Sequence, residues 1–349
     1  MRRVFASIAG NAALCRRIGT ELAQESFSHA HIIEGPDGIG KRTLATEIAM
    51  ALACENRTSA AHPLPCGVCA GCRKIREQKS PDVIWVDRPE GKSVLSVDII
   101  RELREDVHKV PNDLAFKVYI ICNAHTMNQQ AQNALLLTLE EPPPFVLFLL
   151  LCEDSDALLE TIRSRAPILR MQPVSEEDMR DYLLSPERDP KLSRTVRELF
   201  EKSPDEAKAI LRMSNGCLGK AIELLDEAKR APMLDDRATV QEICHLLAAR
   251  TMQDSLFTAL LSLGKDREEV SARLVLLQTA LRDLLLLGLS EEAPLLFFTD
   301  REAAIALSDR FAASRLLAAQ NAINQAIEAL GDNANLRLSL VQLLNHLSA

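Results

Sequence analysis

The chain is poor in three things. Only 4% of its 349 residues are aromatic, the formal net charge is −8, and no apolar run approaches the ~18–20 residues that span a bilayer. The acidic balance argues against a general nucleic-acid-binding surface, and the scarcity of aromatics argues against an adaptor that stacks bases. The longest apolar run, FVLFLLLC (145–152), has the length of a strand and follows three prolines. The first residues, MRRVFASIAGNAAL, carry two arginines but neither the apolar core nor the small-residue cleavage site of a secretory signal. A cytoplasmic chain without membrane contact is expected. No internal repeat or low-complexity tract stands out.

What is present is ordinary for a soluble globular protein, with 47% hydrophobic and 26% charged residues. The length suits two to three domains. Up to about residue 172 short apolar strands alternate with helical segments, the pattern of a parallel α/β sheet. AHIIEG (30–35), DVIWVD (82–87), KVYIIC (117–122) and FVLFLLLC have the look of strands. In VDIIRELREDVHKV (97–110), Ile100, Leu103 and Val107 fall on one helical face. A further helix, 128–144, stops at a run of prolines, which cannot continue it. Past Pro173 strand signals fade. Ser175 followed by acidic residues opens a capped helix, Asn215-Gly216 separates two more, and Leu-rich helical sequence fills the region from about 235.

Residues 35–43, GPDGIGKRT, follow a strand and open a helix. Gly35, Gly40 and Lys41 match the phosphate-cradling pattern G-x-x-x-x-G-K-[ST], with Gly38 inside the loop. The residue after the lysine should carry the hydroxyl that binds Mg²⁺. Here it is Arg42, and a hydroxyl comes one position late, at Thr43. Hydrolysis also needs an acidic residue at the end of a second strand, and the strand 117–121 leads instead into Cys122-Asn123. A thiol is a poor ligand for Mg²⁺ and an amide cannot act as a base. Cys122 reads as a small buried residue ending a strand. Weak holding of ATP or ADP is expected, without turnover.

Four of nine cysteines fall within nineteen residues, at Cys54, Cys66, Cys69 and Cys72. Two C-x-x-C spacings and a fourth thiol at the end of the preceding helix suit a closed Cys₄ site for structural zinc. The alternative is a set of buried cysteines that binds nothing, and His62 could replace one ligand. Arg163 and Arg165 flank Ser164 where a helix gives way to a strand. Such a pair is either a solvated helix end or an arginine finger for a neighbour's nucleotide, and spacing leaves both open.

In this order, HAHIIEGPDGIGK, the four cysteines, KVYII, NALLLTLEEPP and TIRSR resemble the bacterial DNA polymerase III clamp-loader subunits. These are AAA+ proteins, and the resemblance is specific over residues 1–172. It implies an α/β P-loop domain with an inserted zinc module (1–172, module 54–72), a small helical lid (173–232) and an all-α collar (233–349) that assembles the ring. Against the ATPase motor branch, gamma/tau, the chain has Arg42, Cys122-Asn123, Cys152-Glu153 and Gly219 where nucleotide chemistry needs other residues. Leu137 stands where a lysine is common, and Ala166 where a cysteine is usual. Ser164-Arg165 is kept. GCLGKAI (216–222) and NANLRLSLVQLL (333–344) look like the delta prime branch. The resemblance therefore implies a rigid subunit that bridges delta and gamma/tau, offers Arg165 in trans, and acts on the sliding clamp and primer-template DNA through the assembled complex. Two rivals remain: a divergent gamma-type ATPase using Thr43 with Glu140 or Glu141, and a DNA adaptor built on the zinc module.

Overall fold

The computed structural model describes residues 4–59, 61–89, 91–186, 189–249, 253–331 and 334–348. Its described residues divide into two compact units, Met1–Lys202 with Gly216–Ala221, and Ser203–Asn215 with Ile222–Ala349.

The first unit is built on five parallel strands: β1 (Ala30–Glu34), β2 (Val83–Val86), β3 (Lys117–Ile121), β4 (Val146–Cys152) and β5 (Ile168–Arg170), in the order β2-β3-β4-β1-β5. All of β3 and β4 is buried, because a parallel sheet has helices on both faces and both sets of alternating side chains must be apolar. Leu147, Leu149 and Leu151 of β4 join one core with α1 (Ala12–Ala23), α2 (Lys41–Leu52) and α3 (Ala70–Arg76). Val146, Phe148 and Leu150 join the other with α4 (Val97–Asp106), α5 (Gln129–Glu140) and α6 (Glu160–Arg163). Ile100, Leu103 and Val107 are buried together in that second core, as their spacing predicts.

Two helices follow in this unit, α7 (Glu176–Leu184) and α8 (Pro190–Lys202). Ser175 caps α7, its Oγ accepting from the Asp178 amide at 3.1 Å. Farther along, Asn215 and Gly216 are both left-handed, with φ 49° and 75°, where a stop was expected. Gly216 then accepts from the Val174 amide at 2.9 Å.

The second unit is helical. After α9 (Pro204–Met213) and α10 (Leu218–Leu224), whose first residues belong to the first unit, come α11 (Glu227–Ala249), α12 (Gln253–Leu261), α13 (Arg267–Leu287), α14 (Arg301–Ser308), α15 (Ala313–Gly331) and α16 (Leu336–Ser348). Helix α13 is the hub, packed against α11, α14 and α15, with Leu274, Leu277, Leu281 and Leu284 fully buried. Asp266 caps it by accepting from the Glu269 amide at 2.9 Å. Buried Asp283 is neutralised by the Leu296 and Phe297 amides at 2.8 and 2.7 Å and by Arg282 at 2.9 Å.

Candidate functional site

Parallel strands give the sheet two unlike edges. The chain leaves β1, β2, β3 and β4 at the exit edge, where the register sets Glu34 beside Cys152 and Ile121 beside Leu150. The glycine loop, Asp87, Cys122-Asn123 and Cys152-Glu153 are thereby brought to one edge, the usual place for ligands in such sheets.

Gly38 and Gly40 hold φ of 74° and 107°, the left-handed region that favours glycine. Gly40 is the N-cap of α2, so the first turn begins at Lys41 with its amides unpaired within the helix. Lys41 folds back over the loop, donating from Nζ to the carbonyls of Gly35 (2.7 Å) and Pro36 (2.9 Å). Burial lowers its pKa, opposed by the nearby Glu153 and Asp37. The loop is also held from outside: the Gly219 amide donates to the Gly38 carbonyl at 2.7 Å. A Cβ at Gly219 would lie 2.9 Å from both Cα and O of Gly38, so a side chain at 219, such as an arginine, does not fit this closed arrangement.

Arg42 and Thr43 are exposed on the first turn of α2 and line a cleft of about 650 Å³ with Thr46, Glu47 and Trp85. The Arg42 guanidinium lies 5.0 Å from the centre of the Trp85 ring and 3.4 Å from Asp87 Oδ2. Asp87 Oδ1 accepts from Asn123 Nδ2 at 3.0 Å and from the Arg88 amide at 2.9 Å. Cys122 beside them is buried; that burial pushes its thiol up to about 11, with Arg42 lowering and Asp87 raising it. Sequence reasoning passed over Asp87, although it ends the quoted DVIWVD. Mg²⁺ does not fit this donor set: position 42 offers a cation, positions 122 and 123 offer no carboxylate, and Asp87 is already taken by protein donors.

The two arginines of TIRSR go separate ways. Arg163 pairs with Asp156. Arg165 donates from Nη2 to Glu140 at 2.8 Å and from Nη1 to the Thr161 carbonyl at 3.0 Å, leaving its side chain 37% exposed. Ser164 caps the end of α6 and donates to the same carbonyl at 3.0 Å. Glu140 ends α5 on the approach to β4, and Arg165 precedes β5. Both therefore sit at the entry edge, opposite the glycine loop. That position leaves Glu140 no role as a catalytic acid for this loop, and it keeps Arg165 away from any phosphate bound there.

The four clustered cysteines converge. Cys54 follows α2, Cys69 is the N-cap of α3 and Cys72 lies in its first turn. All four are buried and their sulfurs lie within 4.8 Å of one another. Tetrahedral thiolate zinc has S–S edges of about 3.8 Å, so small adjustments would seat an ion, and the set could hold a metal. Burial pushes the thiols of Cys54 and Cys72 up. At Cys66 burial also opposes ionisation, but the Asn56 side chain and the Val68 and Cys69 amides prevail and bring it down to about 6. The Cys66 amide donates to Cys54 Sγ at 3.3 Å. His62 is exposed and is not one of the four.

A family model described as "DNA polymerase III, delta subunit" matches residues 10–175. The chain is 32% identical over 225 residues to DNA polymerase III subunit gamma of Buchnera aphidicola (subsp. Schizaphis graminum), a match that covers 64% of this chain and 58% of the relative. It is 30% identical over 257 residues to DNA polymerase III subunit delta' of Escherichia coli K12, covering 74% of this chain and 70% of the relative. Among solved structures it is similar to a DNA polymerase III gamma-subunit-related protein of Thermotoga maritima, with 18% identity, a TM-score of 0.42, and coverage of 94% and 97%. By its similarity over most of the length of the delta' relative, this chain belongs to the DNA polymerase III clamp-loader family of gamma, tau and delta' homologues.

Proposed function

We propose that the chain is a delta'-like stator of a clamp loader. It assembles with delta and gamma/tau subunits in the cytoplasm, helps open the sliding clamp and load it on primer-template DNA, and hydrolyses no ATP itself. In this reading residues 1–172 are the AAA+ domain, 173–232 its lid and 233–349 the collar that binds the other subunits. Cys54, Cys66, Cys69 and Cys72 hold structural zinc. The single supporting observation is the contrast between the edges of one sheet. At the exit edge, Arg42 and Cys122-Asn123 remove metal and acid together; at the entry edge, Arg165 stays half-exposed, tethered by a surface ion pair and by the Thr161 carbonyl. An arginine there serves a phosphate on the neighbouring subunit. Lys41 and the loop amides retain a cradle for weak nucleotide binding.

The test is Arg165→Ala in a complex reconstituted with delta and gamma subunits. Trans arginines contribute about 10³–10⁵ in rate in related phosphoryl transfers, so DNA-stimulated ATPase at the adjacent site should collapse while subunit assembly stays intact. An unchanged stimulated rate would overturn the proposal. The match to a gamma chain favours a second reading, a divergent ATPase motor. Mg²⁺-dependent turnover by the isolated chain, lost in Lys41→Ala, would establish it.

A further inference from the structure

We infer that nucleotide binding by this chain is independent of divalent metal: the Arg42 guanidinium, held between Asp87 and Trp85, supplies the positive charge that Mg²⁺ supplies in other phosphate-binding loops. The inference rests on the reading that the loop still accepts phosphate.

Arg42 occupies the position whose hydroxyl would bind the ion, at the first turn of α2. From there the side chain reaches the carboxylate that ends β2, at 3.4 Å, on the edge where the loop lies. The indole of Trp85 supports the guanidinium at 5.0 Å, a cation–π contact that restrains its position. Asn123 Nδ2 and the Arg88 amide occupy the other Asp87 oxygen. The carboxylate that an ion would recruit is thus satisfied by three protein donors.

The exchange is chemically balanced. A guanidinium stays protonated at any physiological pH and presents five N–H donors. One nitrogen faces Asp87, and the side chain is 61% exposed, so other donors are open to solvent. With Lys41 next in sequence, two adjacent cations address a di- or triphosphate. Mg²⁺ adds nothing at such a position: it demands near-octahedral oxygen ligands and loses water reluctantly, while the resident cation repels it. Holding phosphate without a metal also explains why a cradle can persist without turnover, since a fixed guanidinium at the loop does not polarise an attacking water as the metal and its acidic partner do.

The experiment is fluorescence titration of the full chain with N-methylanthraniloyl-ADP, in millimolar Mg²⁺ and separately in excess EDTA. The wild type should bind with dissociation constants that agree within about twofold. Arg42→Ser, which restores the hydroxyl, should bind at least about tenfold more weakly in EDTA than in Mg²⁺. Arg42 is exposed, so the variant should fold, and its melting curve verifies this. Wild-type affinity that falls about tenfold in EDTA overturns the inference. So does the absence of wild-type binding at millimolar probe, and so does equal metal independence in Arg42→Ser. None of these outcomes touches the stator reading, which is judged by Arg165→Ala in the assembled complex.

Discussion

Replacing Cys72 with serine is expected to empty the four-thiol site and loosen the junction between α2 and α3 while the sheet stays folded. Cys72 is fully buried, and its thiol faces the Met50 carbonyl at 3.7 Å. Its neighbour Gly71 presses on the end of α2 so closely that a Cβ there would lie 2.5 Å from the Ala53 carbonyl. Structural zinc in small modules contributes about 10–16 kcal/mol of apparent binding energy, and that energy requires deprotonated ligands. A serine hydroxyl stays protonated at neutral pH, so the remaining three thiolates bind far more weakly. The buried hydroxyl without a metal costs a further ~1–3 kcal/mol. For a unit of this size, that last term alone lowers the melting temperature by about 2–12 °C. Wild-type protein purified under reducing conditions should carry one zinc per chain by mass spectrometry, and Cys72→Ser less than about a tenth of that. Chelator should lower the wild-type melting temperature and leave that of Cys72→Ser unmoved. Metal-free wild-type protein whose melting ignores chelator would refute the reasoning, as would a serine variant that retains stoichiometric zinc.

Acid should destabilise the first unit through His31, which is buried, stacked on Phe27 at 3.9 Å, and driven down to about 4 by burial and the nearby Arg17 and His29. The unfolded chain takes up that proton near 6.5, so the contribution is complete above 6.5 and is lost as pH falls toward 4, by about 3 kcal/mol. Between pH 7 and pH 4.5 the denaturant midpoint of wild type should fall relative to that of His31→Leu, which has no group to titrate there; equal pH slopes would sink the assignment. Glu140→Gln removes an exposed ion pair worth about 0.2–1 kcal/mol, so it should leave melting unchanged. Its effect on stimulated ATPase of the reconstituted complex should stay below about fivefold; a loss as deep as that of Arg165→Ala would give Glu140 more than a tethering role. Lys41→Ala should abolish probe binding by the isolated chain yet leave the stimulated rate of the complex within about twofold, and a collapse of that rate would make this chain a motor.

Much of the first unit was legible because a parallel sheet writes itself locally. KVYII and VLFLLLC are apolar on both faces, and Ile100, Leu103 and Val107 fall on one stripe. The glycine loop and the cysteine spacings were equally local, since each needs only residues close in sequence. Asp87 was not legible: a single acidic residue after a strand gains meaning only from Arg42, 45 residues away, and Asn123, 36 residues away. Helix α1 went unassigned for a similar reason. Asn11, which precedes it, caps nothing, because its amide is spent on both backbone groups of Gln172 at 3.0 and 2.8 Å. Spacing alone left Arg163 and Arg165 open and only the resemblance pointed to Arg165; their separate partners, Asp156 and Glu140, are tertiary contacts that spacing does not show. The meeting of Gly38 with Gly219 leaves no trace in sequence, since it is contact between two backbones.

Under the proposed stator reading, a sheet with unlike edges lets one chain lack a complete nucleotide site and still offer an arginine to a neighbour. The glycine loop, Asp87 and Cys122-Asn123 follow strands, whereas Arg165 precedes one, so the strand length separates them and no side-chain movement within the chain unites them. Each edge is consequently free to change without the other. In a ring where every entry edge faces a neighbour's exit edge, a subunit with an idle loop makes no demand on the arginine of the subunit before it. Its own arginine still has a nucleotide to meet. In that proposed role an arginine at position 42 sacrifices no turnover, because the loop it adjoins performs none.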